Sequence, residues 1–164
     1  EVYGLTKGQS SPTLERNGIT SSTPYGKPNE ALNALNLYLT LGVSFVASAL
    51  SSKIKDLTQM IFDAMEHPGF AIVHVQSPCT TYHNTYEQLK GNPKANIEPT
   101  AWGIARDHDP TDLEAAYKIA NSSGVPLGLI YRDDKRASFE SQVETLHTKV
   151  KSKTLSQLVD THID

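Results

Sequence analysis

The chain has 164 residues, of which 38% are hydrophobic and 20% are charged, and its formal net charge is -3 at pH 7. This composition is typical of one globular domain, alone or with an extension, and it argues against a disordered chain or one that mainly binds nucleic acid. The single cysteine, Cys79, excludes an intrachain disulfide, and no apolar run reaches the roughly 18 residues of a membrane span. We therefore expect a cytoplasmic protein without nucleic-acid or membrane partners.

The first part of the chain is predicted to be a long loop followed by a helix. Residues 3–28 are rich in glycine, serine, threonine and proline, which favour turns. Loops of this length within a compact domain are usually functional. Apolar residues then recur at helical spacing, with Asn29 as a candidate cap and Gly42 as a candidate stop.

The next segment predicts a strand, a helix and a second strand. Residues 43–50 and 70–75 are short, continuous apolar runs, which are typical of buried strands. Residues 53–66 have the periodicity of an amphipathic helix, with Ser51 and Ser52 as candidate caps. Because the joints are short, these elements indicate a βαβ unit and a parallel sheet.

The second half contains fewer regular signals. Residues 88–110 contain several prolines and glycines and are predicted to be a linker loop. Thr111 and Glu114 have the spacing of a capping box at the start of a helix. Residues 125–132 are then predicted to form a strand, and residues 138–163 have helical spacing.

A few residues could carry chemistry. Cys79 follows the second strand, where α/β sheets bind ligands. Pattern alone favours a buried structural thiol, and a metal or cluster ligand is the alternative. Lys7 lies between Gly4 and Gly8 and is either a surface lysine or a cation that binds an anionic group. His74 is predicted to be a hydrogen-bonded core histidine.

Four segments, in chain order, resemble the beta subunit of 2-oxoacid:ferredoxin oxidoreductases. They are YGLTKGQSSPT at residues 3–13, PCTTY at 78–82, HDPTD at 108–112 and PLGLIYR at 126–132. The resemblance implies an α/β chain that is part of a thiamine-diphosphate-binding fold with a parallel sheet. It also implies a division into the C-terminal half of that domain (residues 1–87), a linker loop (88–110) and a C-terminal α/β extension (111–164).

The resemblance also implies an activity. Members of the family convert a 2-oxoacid and coenzyme A (CoA) to an acyl-CoA and carbon dioxide, and pass electrons through a 4Fe-4S cluster to ferredoxin. The acid that activates the cofactor would come from the alpha subunit, so we expect no catalytic residue in this chain. We expect the chain to correspond to the C-terminal half of a beta subunit, to lack the G-D-G and N-N motif and three cluster cysteines, and to be inactive alone.

The resemblance further assigns roles to individual residues. The backbone carbonyl of Val2 would complete the shell of a magnesium ion, Mg²⁺, which prefers oxygen ligands. Leu5 and Lys7 would face the substrate, and the Lys7 cation would suit the distal carboxylate of 2-oxoglutarate. Cys79 would be the fourth cluster ligand, which reverses the preference from pattern alone. The residues that would line the diphosphate and the thiazolium are Tyr3, Gly4, Leu5 and Thr6.

The sequence departs from the family pattern near the cysteine. Thr80 replaces a proline, and His83 separates Tyr82 from Asn84, where the family usually has Tyr-Asn directly. Two alternatives remain open. One is a thiamine-diphosphate-dependent decarboxylase or synthase without a cluster, and the other is a non-catalytic assembly module.

Overall fold

A computed structural model describes residues 1–149 and 154–160 and contains one central sheet. The sheet has the order β4-β3-β6-β5. Its strands are β3 (Phe45–Leu50), β4 (Ala71–Gln76), β5 (Ala101–Gly103) and β6 (Val125–Arg132). The pairs β3–β4 and β5–β6 are parallel, whereas β3 and β6 are antiparallel. The predicted α/β class is therefore confirmed, and the central antiparallel pair is a feature that the sequence did not indicate.

The predicted strand–helix–strand unit is present. The helix α2 (Ile54–Glu66) connects β3 to β4, and the two strands are in parallel register from the Phe45–Ala71 pair onward. Every residue of β3 is buried, as predicted, because β3 lies inside the sheet. Most of β4 is only half-buried because this strand lies at one end of the sheet. No serine side chain caps α2, which begins after Lys53 without a side-chain cap.

Two further helices cover one face of the sheet and form the main core with it. They are α1 (Ala34–Thr40) and α4 (Leu113–Ala120). The core cluster combines residues of both helices with residues of β3 and β6, so burial of apolar side chains joins elements that are distant in sequence. Its buried members are Leu35, Leu39, Val43, Val46, Ala116, Ala120 and Ile130.

The caps of these two helices differ from the predicted ones. The side chain of Asn33, rather than Asn29, caps α1, and its Oδ1 accepts from the Asn36 N–H at 3.0 Å. Asp112 caps α4 by accepting two backbone N–H groups. Asp112 is next to the helix start and accepts the first-turn amides that Thr111 was predicted to accept. The hydroxyl of Thr111 instead donates to the carboxylate of Asp109.

Residues 88–110 are more ordered than the predicted linker. They include the end of α3 (Tyr86–Lys90), a 3₁₀ turn (Pro93–Ala95) and the strand β5. Because β5 pairs with β6, this segment contributes to the same sheet as the first half of the chain. The division at residues 87 and 111 stays a prediction.

Near the C-terminus, α5 (Phe139–Lys149) and α6 (Leu155–Asp160) match the predicted helical region, whose residues 150–153 and 161–163 lie outside the described part.

The first residues form a hairpin inside the predicted loop. Its strands are β1 (Val2–Tyr3) and β2 (Gln9–Ser10), and they pair antiparallel. The loop that follows is held by the buried Lys27, whose ammonium donates to three backbone carbonyls. The acceptors are Pro12, Leu14 and Glu30, at 3.0, 2.7 and 3.1 Å.

Within residues 1–149 and 154–160, no helix is both long and apolar enough to cross a membrane.

Candidate functional site

A cavity of about 430 Å³ lies at the carboxyl end of β4. Its wall combines the end of this strand, the start of α1, the end of α4 and the first residues of the N-terminal hairpin (residues 1–10). Val2, Gln76 and Cys79 are among the lining residues. Crevices at the carboxyl ends of strands are the usual ligand sites of α/β sheets, so this cavity is the candidate site.

Cys79 lies on a tight turn at the edge of this cavity. The Cys79 carbonyl accepts the N–H of His83 at 2.9 Å, which closes the turn of residues 79–83, here called the cysteine turn. The thiol is half-buried rather than enclosed. Hydrogen bonds from the backbone amides of Tyr82, Thr81 and His83 lower the pKa of the Cys79 thiol. These amides stabilise a thiolate, which is the form that binds metals.

The cysteine turn packs directly against the N-terminal hairpin. A Cβ built on Gly4 would lie 3.3 Å from the Sγ of Cys79, and one built on Gly8 would lie 3.2 Å from the ring of Tyr82. Both glycines therefore allow an approach that a larger residue would hinder. The structure thus brings the predicted diphosphate loop and the predicted cluster ligand into contact.

The backbone of the hairpin directs one carbonyl away from its partner strand. The N–H groups of Ser11 and Gly8 donate to the carbonyls of Glu1 and Tyr3, at 3.0 and 2.9 Å. Because carbonyls alternate in direction along a strand, the carbonyl of Val2 points to the opposite edge. A carbonyl outside the ladder is a suitable ligand for a hard cation, and the magnesium role of Val2 stays a prediction.

The other predicted contact residues lie outside the cavity wall. Leu5 is 98% exposed, and Tyr3, Thr6 and Lys7 are also exposed. Lys7 has a φ of 67°, a left-handed conformation that places it at the tip of the hairpin turn. The structure therefore unites Val2, Gly4 and Cys79, and it leaves the side chains of Leu5 and Lys7 in open solvent.

His74 lies on β4 and contributes to the cavity wall. Its Nδ1 is 3.3 Å from the hydroxyl of Tyr38, so the predicted hydrogen bond is present, but His74 is half-buried at the cavity wall rather than in the core. Burial lowers the pKa of His74, so the neutral imidazole is favoured at this wall.

A second polar cluster, which the sequence did not indicate, lies at the opposite end of β3. The buried His67 places its Nε2 2.9 Å from the hydroxyl of Ser44 and its Nδ1 3.5 Å from the carboxylate of Asp134. Ser44 is 1% exposed, and a Cβ on Gly69 would collide with its hydroxyl. Because the hydroxyl is inaccessible, this cluster has a structural role. It joins the residues just before β3, just after α2 and just after β6. The spacing of these residues in sequence carries no signal for it.

Comparisons with known proteins agree with the resemblance. The family model for the C-terminal part of the pyruvate ferredoxin oxidoreductase beta subunit matches residues 79–148. The beta subunit of 2-oxoacid:ferredoxin oxidoreductase 1 from Aeropyrum pernix is 34% identical over 150 residues, which cover 87% of this chain and 47% of that protein. The equivalent protein from Sulfolobus sp is 32% identical over 150 residues, covering 87% of this chain and 49% of that protein.

A solved structure shows the same arrangement of elements. It is the 2-oxoglutarate:ferredoxin oxidoreductase from Magnetococcus marinus with 2-oxoglutarate, coenzyme A and succinyl-CoA bound. The TM-score is 0.82 at 31% sequence identity, over 99% of this chain and 55% of that one. The chain belongs to the 2-oxoacid:ferredoxin oxidoreductase beta-subunit family.

Membership of this oxidoreductase family holds over the length that is shared. The chain spans about half the length of the curated relatives that it matches. Among residues 1–149 and 154–160, no group of three or more histidine, cysteine or acidic side chains is arranged to hold a metal ion. A 4Fe-4S cluster usually takes four thiolates, so this chain, with one cysteine, fits one ligand position of such a cluster.

Proposed function

We propose that this chain forms part of the cofactor site of an enzyme that oxidatively decarboxylates a 2-oxoacid with CoA. The products would be an acyl-CoA and carbon dioxide, and the electrons would pass through a 4Fe-4S cluster to ferredoxin. The Magnetococcus marinus relative, whose structure contains 2-oxoglutarate, CoA and succinyl-CoA, supports this reaction. Family membership supports the need for partner subunits, and we propose an alpha subunit as the one that completes the site.

The observation that carries the proposal is the contact between Gly4 and Cys79. These residues are far apart in sequence, and the resemblance gives them different tasks, one at the cofactor diphosphate and one at the cluster. A Cβ on Gly4 would lie 3.3 Å from the sulfur, so the two segments touch. In an enzyme that moves electrons from a cofactor-bound substrate to a cluster, adjacent sites shorten the path of the electrons.

The residues of this chain would bind and orient the groups that react. When bound, thiamine diphosphate supplies the carbanion chemistry, and the cluster accepts the electrons. The Val2 carbonyl, which points out of the hairpin ladder, would complete the magnesium shell. The Cys79 thiolate, stabilised by three backbone amides, would bind one iron of the cluster. Tyr3, Gly4, Leu5 and Thr6 would line the diphosphate and the thiazolium.

We propose 2-oxoglutarate as the preferred substrate because of Lys7. Its ammonium lies on an exposed turn next to the glycines, where it is free to meet a ligand that binds between subunits. A cation there would pair with the distal carboxylate, a group that 2-oxoglutarate has and pyruvate lacks. Leu5, at 98% exposure, would contact the same substrate.

The test is to purify the complete oxidoreductase that contains this chain and to measure three properties together. These are iron per beta subunit, binding of thiamine diphosphate with magnesium, and reduction of ferredoxin that depends on 2-oxoglutarate and CoA. The proposal expects all three. Binding of thiamine diphosphate without iron would favour a cluster-free decarboxylase or synthase. Absence of both cofactors would favour an assembly module.

A further inference from the structure

Three contacts join the cysteine turn to the N-terminal hairpin. Two are backbone approaches, Gly4 against Cys79 and Gly8 against Tyr82. The third is polar, because the Nε2 of His83 lies 2.7 Å from the Oε2 of Glu1. The polar contact is the one among the three that uses side-chain atoms from both segments, and it lies at the end of the turn opposite the cysteine.

Both ends of the polar contact are attached to fixed backbone. The N–H of His83 donates to the Cys79 carbonyl at 2.9 Å, so His83 and Cys79 face each other across the turn. The carbonyl of Glu1 accepts the N–H of Ser11 at 3.0 Å, which fixes Glu1 to the hairpin. A movement of His83 relative to Glu1 would therefore also move Cys79 relative to the hairpin.

The amides that stabilise the cysteine depend on the same turn. The backbone amides of Tyr82 and Thr81, which contribute most to lowering the pKa of the Cys79 thiol, belong to the cysteine turn itself. Their directions change if the turn rotates away from the hairpin. The geometry of the Glu1–His83 contact is thereby linked to the hydrogen bonds that the sulfur receives.

We propose that His83 is a positioning residue that holds the sulfur of Cys79 against the N-terminal hairpin through its hydrogen bond to Glu1. The position of the sulfur in turn sets the environment of whatever group it binds. The cluster as that group rests on the proposed function above, whereas the hydrogen-bonded link itself does not.

The test uses four variants of the complete oxidoreductase. His83→Ala removes the hydrogen bond. His83→Gln places an amide N–H near the position of Nε2 and retains the bond, whereas the amide of His83→Asn is too short to reach Glu1. Lys118→Met is the matched control, because it breaks an exposed ion pair of similar length, 2.8 Å to Glu114, on α4.

The readouts are the electron paramagnetic resonance (EPR) spectrum of the reduced cluster and its midpoint potential. The proposal expects both to shift in His83→Ala and His83→Asn, and to remain as in the unmodified enzyme in His83→Gln and Lys118→Met. A spectrum and potential unchanged in His83→Ala would overturn it. So would a shift in His83→Gln equal to that of His83→Ala, because the hydrogen bond would then not be the cause.

A second readout separates this proposal from the proposed function. If the unmodified enzyme contains no iron, the cluster assignment fails, and the rate of alkylation of Cys79 by iodoacetamide decides about the link. A severalfold change in His83→Ala that His83→Gln reverses supports the link. Equal rates in all four variants and the unmodified protein overturn it.

Discussion

Gly4 lies so close to Cys79 that a Cβ built on the glycine would be only 3.3 Å from Sγ and 3.7 Å from the cysteine Cβ. This contact joins residues 3–13, the segment with the most specific resemblance to 2-oxoacid:ferredoxin oxidoreductases, to the PCTTY segment at residues 78–82. A separation of 3.3 Å is closer than ordinary carbon–sulfur packing, so with a side chain at position 4 the cysteine would have to shift by a few tenths of an ångström. The contact therefore makes the proposed site sensitive to substitution of this glycine.

Gly4→Ala should disturb the site without unfolding the protein. The added methyl group would push Cys79 away, at a cost of about 1–3 kcal/mol for local overpacking. We expect a lower iron content and an altered cluster spectrum. Gly103→Ala is the matched control because nothing lies within 4 Å of a Cβ at that position. Equal iron content and identical spectra in the two variants would show that the contact is unimportant.

Lys7→Gln should change substrate preference. The substitution removes the charge and keeps a side chain of similar length on the exposed turn. If Lys7 pairs with a distal carboxylate, KM for 2-oxoglutarate should rise about tenfold, while KM for pyruvate stays nearly constant. Steady-state kinetics with both substrates measure this, and Lys94→Gln, at another exposed lysine, is the control. An equal rise for both substrates would contradict the assignment.

His74 should make the protein less stable in acid. Burial lowers its pKa below the ordinary 6.5, so the unfolded chain binds more protons than the folded one as pH decreases. The stabilisation is complete above 6.5 and is lost as pH falls through the lowered folded-state pKa. His74→Asn, which can still accept from Tyr38, should flatten the fall of Tm as pH decreases below 6.5. The same acid dependence in the variant would refute this role.

Lys27→Met should destabilise the loop that follows the hairpin. The buried ammonium donates to three carbonyls, and its loss would leave these acceptors unpaired. We expect a loss of about 2–5 kcal/mol in the free energy of unfolding, measured in urea. Lys94→Met, at an exposed position, should change little. A loss below about 0.5 kcal/mol would mean that water replaces the ammonium without cost.

The main elements of the fold could be predicted from hydrophobic patterns. The run at residues 43–50 and the periodic segment at 53–66 gave the strand and helix of the βαβ unit, because burial of continuous apolar runs dominates local propensity. Helix caps were less predictable. Asn29 and Thr111 had suitable side chains, but Asn33 and Asp112 were closer to the helix starts that packing selects.

The site could be predicted only through the resemblance. Pattern alone ranked Cys79 as a buried thiol, since the contact with Gly4 and the amides of the turn depend on tertiary structure. The strand β5 was missed because three residues give no periodic signal. The Ser44–His67 hydrogen bond was missed for a related reason, as the two residues meet only when β3 and the end of α2 are packed together.

The most direct test of the central claim is the EPR spectrum of the chemically reduced oxidoreductase with Cys79→Ser in place of Cys79. Thr80→Ser, next to it on the exposed side of the turn, is the control. We expect the 4Fe-4S signal to be lost or greatly reduced in Cys79→Ser and retained in Thr80→Ser. An unaltered 4Fe-4S signal and full iron content in Cys79→Ser would contradict it, and Cys79 would then be a structural thiol.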